Sequence, residues 1–264
     1  MHPLKRFFKR HAHNRLFKAL AGLGRAMHRL YENRNYDVYS NGEYEVLRKL
    51  KAFSPQVIID GGANLGHYSL MVQQVLPGCR VFAFEPVPET FARLQHNLTP
   101  YPRLQPIPQG LYAHTGPQRI HLYPSHTHAS VYDIQGVKYQ PQGQVEIQLL
   151  RGDEFMQQQQ IQRIDLLKID VEGAEYEVLQ GFRQALSEGR ITAVQFEYGY
   201  INITTKKLLI DFYQLFEGYG YRVGKIFPKG VEFRPYHFKY EDFIGPNFIA
   251  VHQSQTELIE RLQP

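Results

Sequence analysis

Apolar positions along the middle of this chain alternate between two spacings. Short apolar runs recur at residues 57–60, 80–85, 104–112, 164–170 and 191–197, with the length of buried strands. Between them the spacing becomes helical, over residues 67–76, 88–98, 174–187 and 206–217. Phe91, Leu94 and Leu98 share one face of the second such segment. Strands alternating with helices predict an α/β domain, a doubly wound and mostly parallel sheet whose ligands sit beyond the carboxyl ends of its strands. Near the end, residues 221–227 and 247–252 read as a closing β pair around a Pro- and aromatic-rich loop, which fits an antiparallel edge strand.

Other segments depart from that rhythm. Residues 113–150 are rich in Gly, Pro and Gln and hold two short strands, 119–123 and 144–149. They read as an insertion or hairpin region bordering a substrate. Residues 35–54 form a helical lead-in through Tyr44, Val46, Leu47 and Leu50, so the main domain spans 55–252 and a tail 253–264. Before the lead-in, Leu16, Leu20, Leu23, Met27 and Leu30 recur at helical spacing. Arg15, Lys18, Arg25 and Arg29 lie across the wheel from them. This is an amphipathic helix weakened by Gly22 and Gly24. It reads first as a helix docked on the domain with a solvated basic face, and second as an attachment to an anionic membrane or a partner.

Charge sharpens the division. Residues 1–34 carry nine Lys/Arg against Glu32, net +8, while the whole chain is +5, so the remainder is −3. The basic balance therefore belongs to an arm, and an arm alone does not indicate a nucleic-acid partner. No apolar run reaches the ~20 residues of a membrane span. The single cysteine, Cys79, excludes an internal disulfide, suits a reducing cytoplasm and opens a buried strand, a packing role. The expected location is cytoplasmic, with peripheral contact at the inner face of a membrane as the alternative use of the arm.

The chemistry begins where the first strand ends. Residues 57–66 read VIIDGGANLG, and the second strand closes on Glu85. Strand, glycine turn, helix, strand and terminal carboxylate form the plan of a nucleotide-binding βαβ unit. A dinucleotide site spaces its glycines G-x-G-x-x-G so that a pyrophosphate meets the helix N-terminus. Here Asp60, Gly62, Asn64 and Gly66 follow a different spacing, and the opening carboxylate would repel a phosphate. It would attract the ammonium of an amino-acid-bearing nucleoside such as S-adenosylmethionine. Glu85 is placed to accept both ribose hydroxyls.

A second charged segment, KIDVEGAE at residues 168–175, leaves the strand over 164–170. Alternation puts Lys168 and Asp170 on one side. Asp170 or Glu172 is a candidate acceptor for a substrate hydroxyl proton, with Lys168 balancing charge; an ion pair beside an acidic helix start is the plainer alternative. Glu197, ending the next strand, would stand beside Asp170, where the two could share a proton, bind a metal or contact substrate hydroxyls. His126 and His128 read as solvated side chains, and no metal is expected.

Together VIIDGGANLG, FAFEPVPETFARLQHNL and LLKIDVEGAEYEVLQG resemble the FkbM-type methyltransferases over residues 55–252. The resemblance implies a seven-stranded Rossmann-like fold and S-adenosylmethionine-dependent O-methylation of sugars, polysaccharides or polyketide-like natural products. It assigns Asp60, Gly62, Asn64, Gly66 and Glu85 to the cofactor, and Lys168, Asp170, Glu172 and Gly173 to the active-site region. Two other functions compete: a non-catalytic cofactor-binding scaffold held by the basic arm, and a nicotinamide oxidoreductase, which the glycine spacing disfavours.

Overall fold

The computed structural model describes residues 3–124, 129–134, 136 and 140–264. The chain opens with helices α1 (Pro3–His11), α2 (Arg15–Tyr31) and α3 (Glu43–Leu50). The body then runs β1 (Val57–Gly61), α4 (His67–Val75), β2 (Arg80–Phe84), α5 (Pro88–Leu98) and β3 (Leu104–Ile107). Pro88 suits the first turn of α5, where a backbone N–H would lack an intrahelical partner. Next come β4 (Gly110–Tyr112), β5 (Gly116–Leu122), β6 (Ala129–Ser130), β7 (Gly143–Arg151) and α6 (Gly152–Gln158). The body resumes with β8 (Ile164–Ile169), α7 (Glu175–Gly181), α8 (Arg183–Ser187), β9 (Ile191–Glu197), α9 (Asn202–Thr205) and α10 (Leu209–Gly218). It closes with β10 (Tyr221–Phe227), β11 (Gly230–Phe233), β12 (Asn247–His252) and α11 (Thr256–Leu262).

The main sheet has the order β11-β10-β12-β9-β8-β1-β2-β3. Its strands from β9 to β3 are parallel, and β12 runs antiparallel to both β9 and β10. Chain order reverses between β1 and β8, the switch point at which a doubly wound sheet opens a crevice. The sheet has eight strands, one more than expected, because part of the aromatic loop pairs with β10 as β11. Strand alternation sorts the core into two layers. Ile58, Val81, Leu166 and Ala193 face one layer with α3, α4 and α11. Ile59, Phe82, Leu167 and Val194 face the other with α6, α7 and α10.

Residues 104–112, expected as one strand, are two. Pro108 has no N–H to extend the ladder, and Gly110 crosses so close to β7 that a Cβ would lie 2.8 Å from Leu149 Cδ2. β4 thereby joins a second sheet of order β4-β7-β5-β6, whose other strands come from the segment read as an insertion. The helix expected over 174–187 breaks at Gly181, where a Cβ would lie 2.1 Å from the Tyr112 carbonyl oxygen. His126 and His128 lie outside the described residues. Only part of 35–54 is helical, since turns precede α3. Cys79 is buried, and burial pushes its thiol up to about 12, consistent with packing.

The docked reading of the arm does not hold: α1 and α2 bury no residue. Among the described residues the arm is held near its root, where His28 Nε2 of α2 stands 3.5 Å from Asp242 Oδ2. Glu32 pairs with Lys225 at 2.9 Å and Arg234 at 3.5 Å, and Asn33 Nδ2 donates to the Ile226 and Asn41 carbonyls.

Candidate active site

The turn leaving β1 is shaped by a close approach. Gly62 has φ +83°, and a Cβ there would lie 1.8 Å from the Asp170 carbonyl oxygen. Only glycine lets this turn reach the exit of β8. Asn64 follows at φ +50°, and its backbone N–H donates to Glu85 Oε2 at 3.1 Å. The Val87 N–H donates to Glu85 Oε1 at 2.9 Å. Two backbone donors thus fix Glu85 at the end of β2, and burial nevertheless pushes its carboxyl up to about 7. Gly66 serves a different purpose: it opens α4 at φ +88°, where a Cβ would lie 2.9 Å from Leu94 Cδ1. It is a packing position between α4 and α5.

Asp60 is fully buried beneath the turn. The register aligns Asp60 with Lys168 and Lys168 with Gln195, a polar row across β1, β8 and β9. Lys168 Nζ stands 3.6 Å from Asp60 Oδ1 and 3.1 Å from Asp170 Oδ2. Ser69 Oγ of α4 donates to Asp60 Oδ2 at 2.7 Å, and Gln195 Nε2 donates to Glu43 Oε1 of α3 at 2.6 Å. Burial pushes the Asp60 carboxyl up, and Lys168 and Ser69 offset part of that. For Lys168 burial opposes the charge, but Asp170, Asp60 and Glu43 outweigh it and hold the ammonium above its ordinary value. Glu43 was not singled out in the sequence, because its helical spacing marks a lead-in and not a roof over β8.

Above this row, at the exits of β8 and β9, Asp170, Glu172 and Glu197 converge. Glu172 occupies the left-handed region at φ +55°, its carbonyl held by Ser130 Oγ of β6 at 2.7 Å. Glu175 accepts from the Val171 and Gly173 N–H groups at 3.0 and 3.1 Å, which shapes the turn; burial pushes it up to about 7. Burial, and then the Asp170 charge, raise Glu172 and Glu197 well above the carboxylate range. A hydrogen bond links Glu197 to Asp170.

A cavity of about 650 Å³ lies over the switch point. Gly62, Asn64 and Glu85 line it together with Asp170, Glu172 and Glu197. Ile120, Ile147 and Leu149 of the second sheet supply an apolar wall, and Tyr36 and Tyr200 stand at the rim. Asp60, Gly66 and Lys168 are not part of that wall; Lys168 borders a smaller adjoining space of about 220 Å³ with Tyr36 and Glu43. No periodic pattern marks Tyr36 or Tyr200 in the sequence. Among the described residues no group of three His, Cys, Asp or Glu side chains is arranged to hold a metal ion.

The profile of the Methyltransferase FkbM domain matches residues 60–223. The chain belongs to this family. As an FkbM-family protein it is an S-adenosylmethionine-dependent methyltransferase. It is 32% identical over 173 residues to the hexuronic acid methyltransferase AglP of Haloferax volcanii, covering 64% of this chain and 69% of that one. It is 27% identical over 192 residues to the 2-O-methyltransferase NoeI of Sinorhizobium fredii, covering 67% and 76%. A solved methyltransferase FkbM from Methylobacillus flagellatus KT is 17% identical, with a TM-score of 0.46 over 75% of this chain and 44% of its own. The cavity of this FkbM-family member fits the cofactor. Its volume falls in the range of small-molecule sites, ~300–1,000 Å³. It joins a backbone cradle that a Cβ at Gly62 would fill, a fixed carboxyl at Glu85 and an apolar wall.

Proposed function

We propose that this methyltransferase alkylates a hydroxyl oxygen of a sugar. One observation carries the reading: the glycine turn with Glu85 and the Asp170–Glu172–Glu197 group line one and the same cavity. The turn at Gly62 and Asn64 holds the amino-acid end of the cofactor, and Glu85 accepts the two ribose hydroxyls. Asp60 acts at one remove by fixing Lys168, and Gly66 by seating α4 on α5. When bound, S-adenosylmethionine supplies a methyl group activated on a sulfonium.

The chain's own residues supply the rest. An alcohol is a poor nucleophile until its proton has somewhere to go. Asp170, Glu172 and Glu197 are the acceptors at hand, and burial, then the neighbouring Asp170 charge, gives Glu172 and Glu197 an unusually high proton affinity. Lys168, paired to Asp170 at 3.1 Å, keeps the charge of this group balanced as it gains or loses that proton. The names of AglP and NoeI, a hexuronic acid methyltransferase and a 2-O-methyltransferase, support a sugar hydroxyl as acceptor. Transfer of labelled methyl groups from S-adenosylmethionine to a panel of mono- and oligosaccharides tests the proposal. Oxygen-linked label on a sugar is expected; label only on nitrogen or carbon acceptors would overturn it.

A further inference from the structure

The arm presents an apolar surface that none of the described residues covers. On α2 the stripe Leu16, Leu20, Leu23, Met27 and Leu30 is 53–81% exposed. On α1, Leu4, Phe7 and Phe8 repeat the helical spacing and are 50–59% exposed. The Phe8 and Phe17 rings meet at 6.4 Å, so the two helices touch. Eight large apolar side chains held open to water on two adjacent helices mark an interaction surface.

Charge selects the occupant. Lys5, Arg6, Lys9, Arg10, Arg15, Lys18, Arg25 and Arg29 lie on the faces turned away from the stripe, and no acidic residue occurs before Glu32. A second copy of the arm would bring +8 against +8. An apolar stripe backed by a cationic polar face matches an anionic lipid surface, where the stripe enters the acyl boundary and the cations stay at headgroup level. Neither helix is a span: among the described residues no helix is long and apolar enough to cross a membrane. The arm is also joined firmly to the body, through the buried Glu32–Lys225 pair. Four residues after Glu32 the chain reaches Tyr36, on the rim of the cavity.

We infer that α1 and α2 form a peripheral docking surface for anionic membranes, which holds the catalytic body at a lipid surface. Vesicle co-sedimentation of the full chain tests this, with phosphatidylcholine alone and with phosphatidylcholine containing phosphatidylglycerol. Binding to the anionic vesicles should be about tenfold or more tighter and should weaken with added salt. Leu20→Glu with Leu23→Glu should abolish it, while S-adenosylmethionine binding and the circular dichroism of the body stay unchanged. Equal binding to both vesicles, or none, would overturn the inference. So would a wild-type dimer that the same two substitutions dissociate with no change in vesicle binding, which would make the surface an interface between copies.

Discussion

Glu85 joins a structural constraint to a titration near neutral pH. Burial raises its carboxyl from 4.5 to about 7, whereas a pair of ribose hydroxyls needs the ionised form as acceptor. Cofactor affinity should therefore climb as pH rises through about 7 and level off above it, as calorimetry across pH would read. Glu85→Gln should flatten that profile and weaken binding by roughly 10- to 100-fold, the worth of hydrogen bonds to a charged group. The same shift has a cost: without ligand, the contribution of the protonated form to stability is complete below 4.5 and is lost as pH rises through about 7. In the same cavity, Asp170→Asn and Glu172→Gln should each lower turnover by roughly 10²- to 10⁴-fold, the usual weight of proton transfer. Cofactor affinity should move little. Because Glu172 and Glu197 are raised, the acid limb of the rate profile should lie above the ordinary carboxylate range. Removing the Glu172 charge should shift that limb downward, since Glu197 then loses a like-charged neighbour. An unmoved limb would place the proton elsewhere.

Among elements, the decisive contact is between the β1 turn and the exit of β8. Gly62→Ala would set a Cβ against the Asp170 backbone, which has no flexible end to yield. It should lower stability by at least ~2 kcal/mol, from strain at a positive φ plus the clash, and should lose cofactor binding as well; a native melting temperature would refute this. The row Asp60–Lys168–Gln195 makes a second prediction. Lys168→Met removes one partner of a buried pair and leaves Asp60 enclosed, so stability should fall by ~3–5 kcal/mol in chemical denaturation. The double change Asp60→Asn with Lys168→Met should recover part of that loss. Element boundaries were legible where glycine or proline has a local reason, as at Pro88. They were not legible where it has a distant one: Gly110 and Gly181 are required by Leu149 and Tyr112, neighbours that exist only after folding.

For the whole molecule, the alternation of apolar runs and helical spacing was enough to anticipate a mostly parallel sheet and the rim where the site lies, because burial on both faces leaves its signature in every strand. It also separated the basic arm from the acidic body. The residue types at the strand exits, Gly62, Glu85, Asp170, Glu172 and Glu197, could be chosen in advance because strand ends of such a sheet gather at one edge. What folding decided was which of them face the cavity. Asp60 and Lys168 point to the α3–α4 side because sheet register sets the face, and register is a relation between strands that no single strand encodes. The apolar wall from β5 and β7, the eighth strand and the uncovered stripe of the arm likewise depend on which distant segments meet. Local spacing determined the elements and the chemistry available; tertiary pairing determined which groups became wall, buried support or open surface.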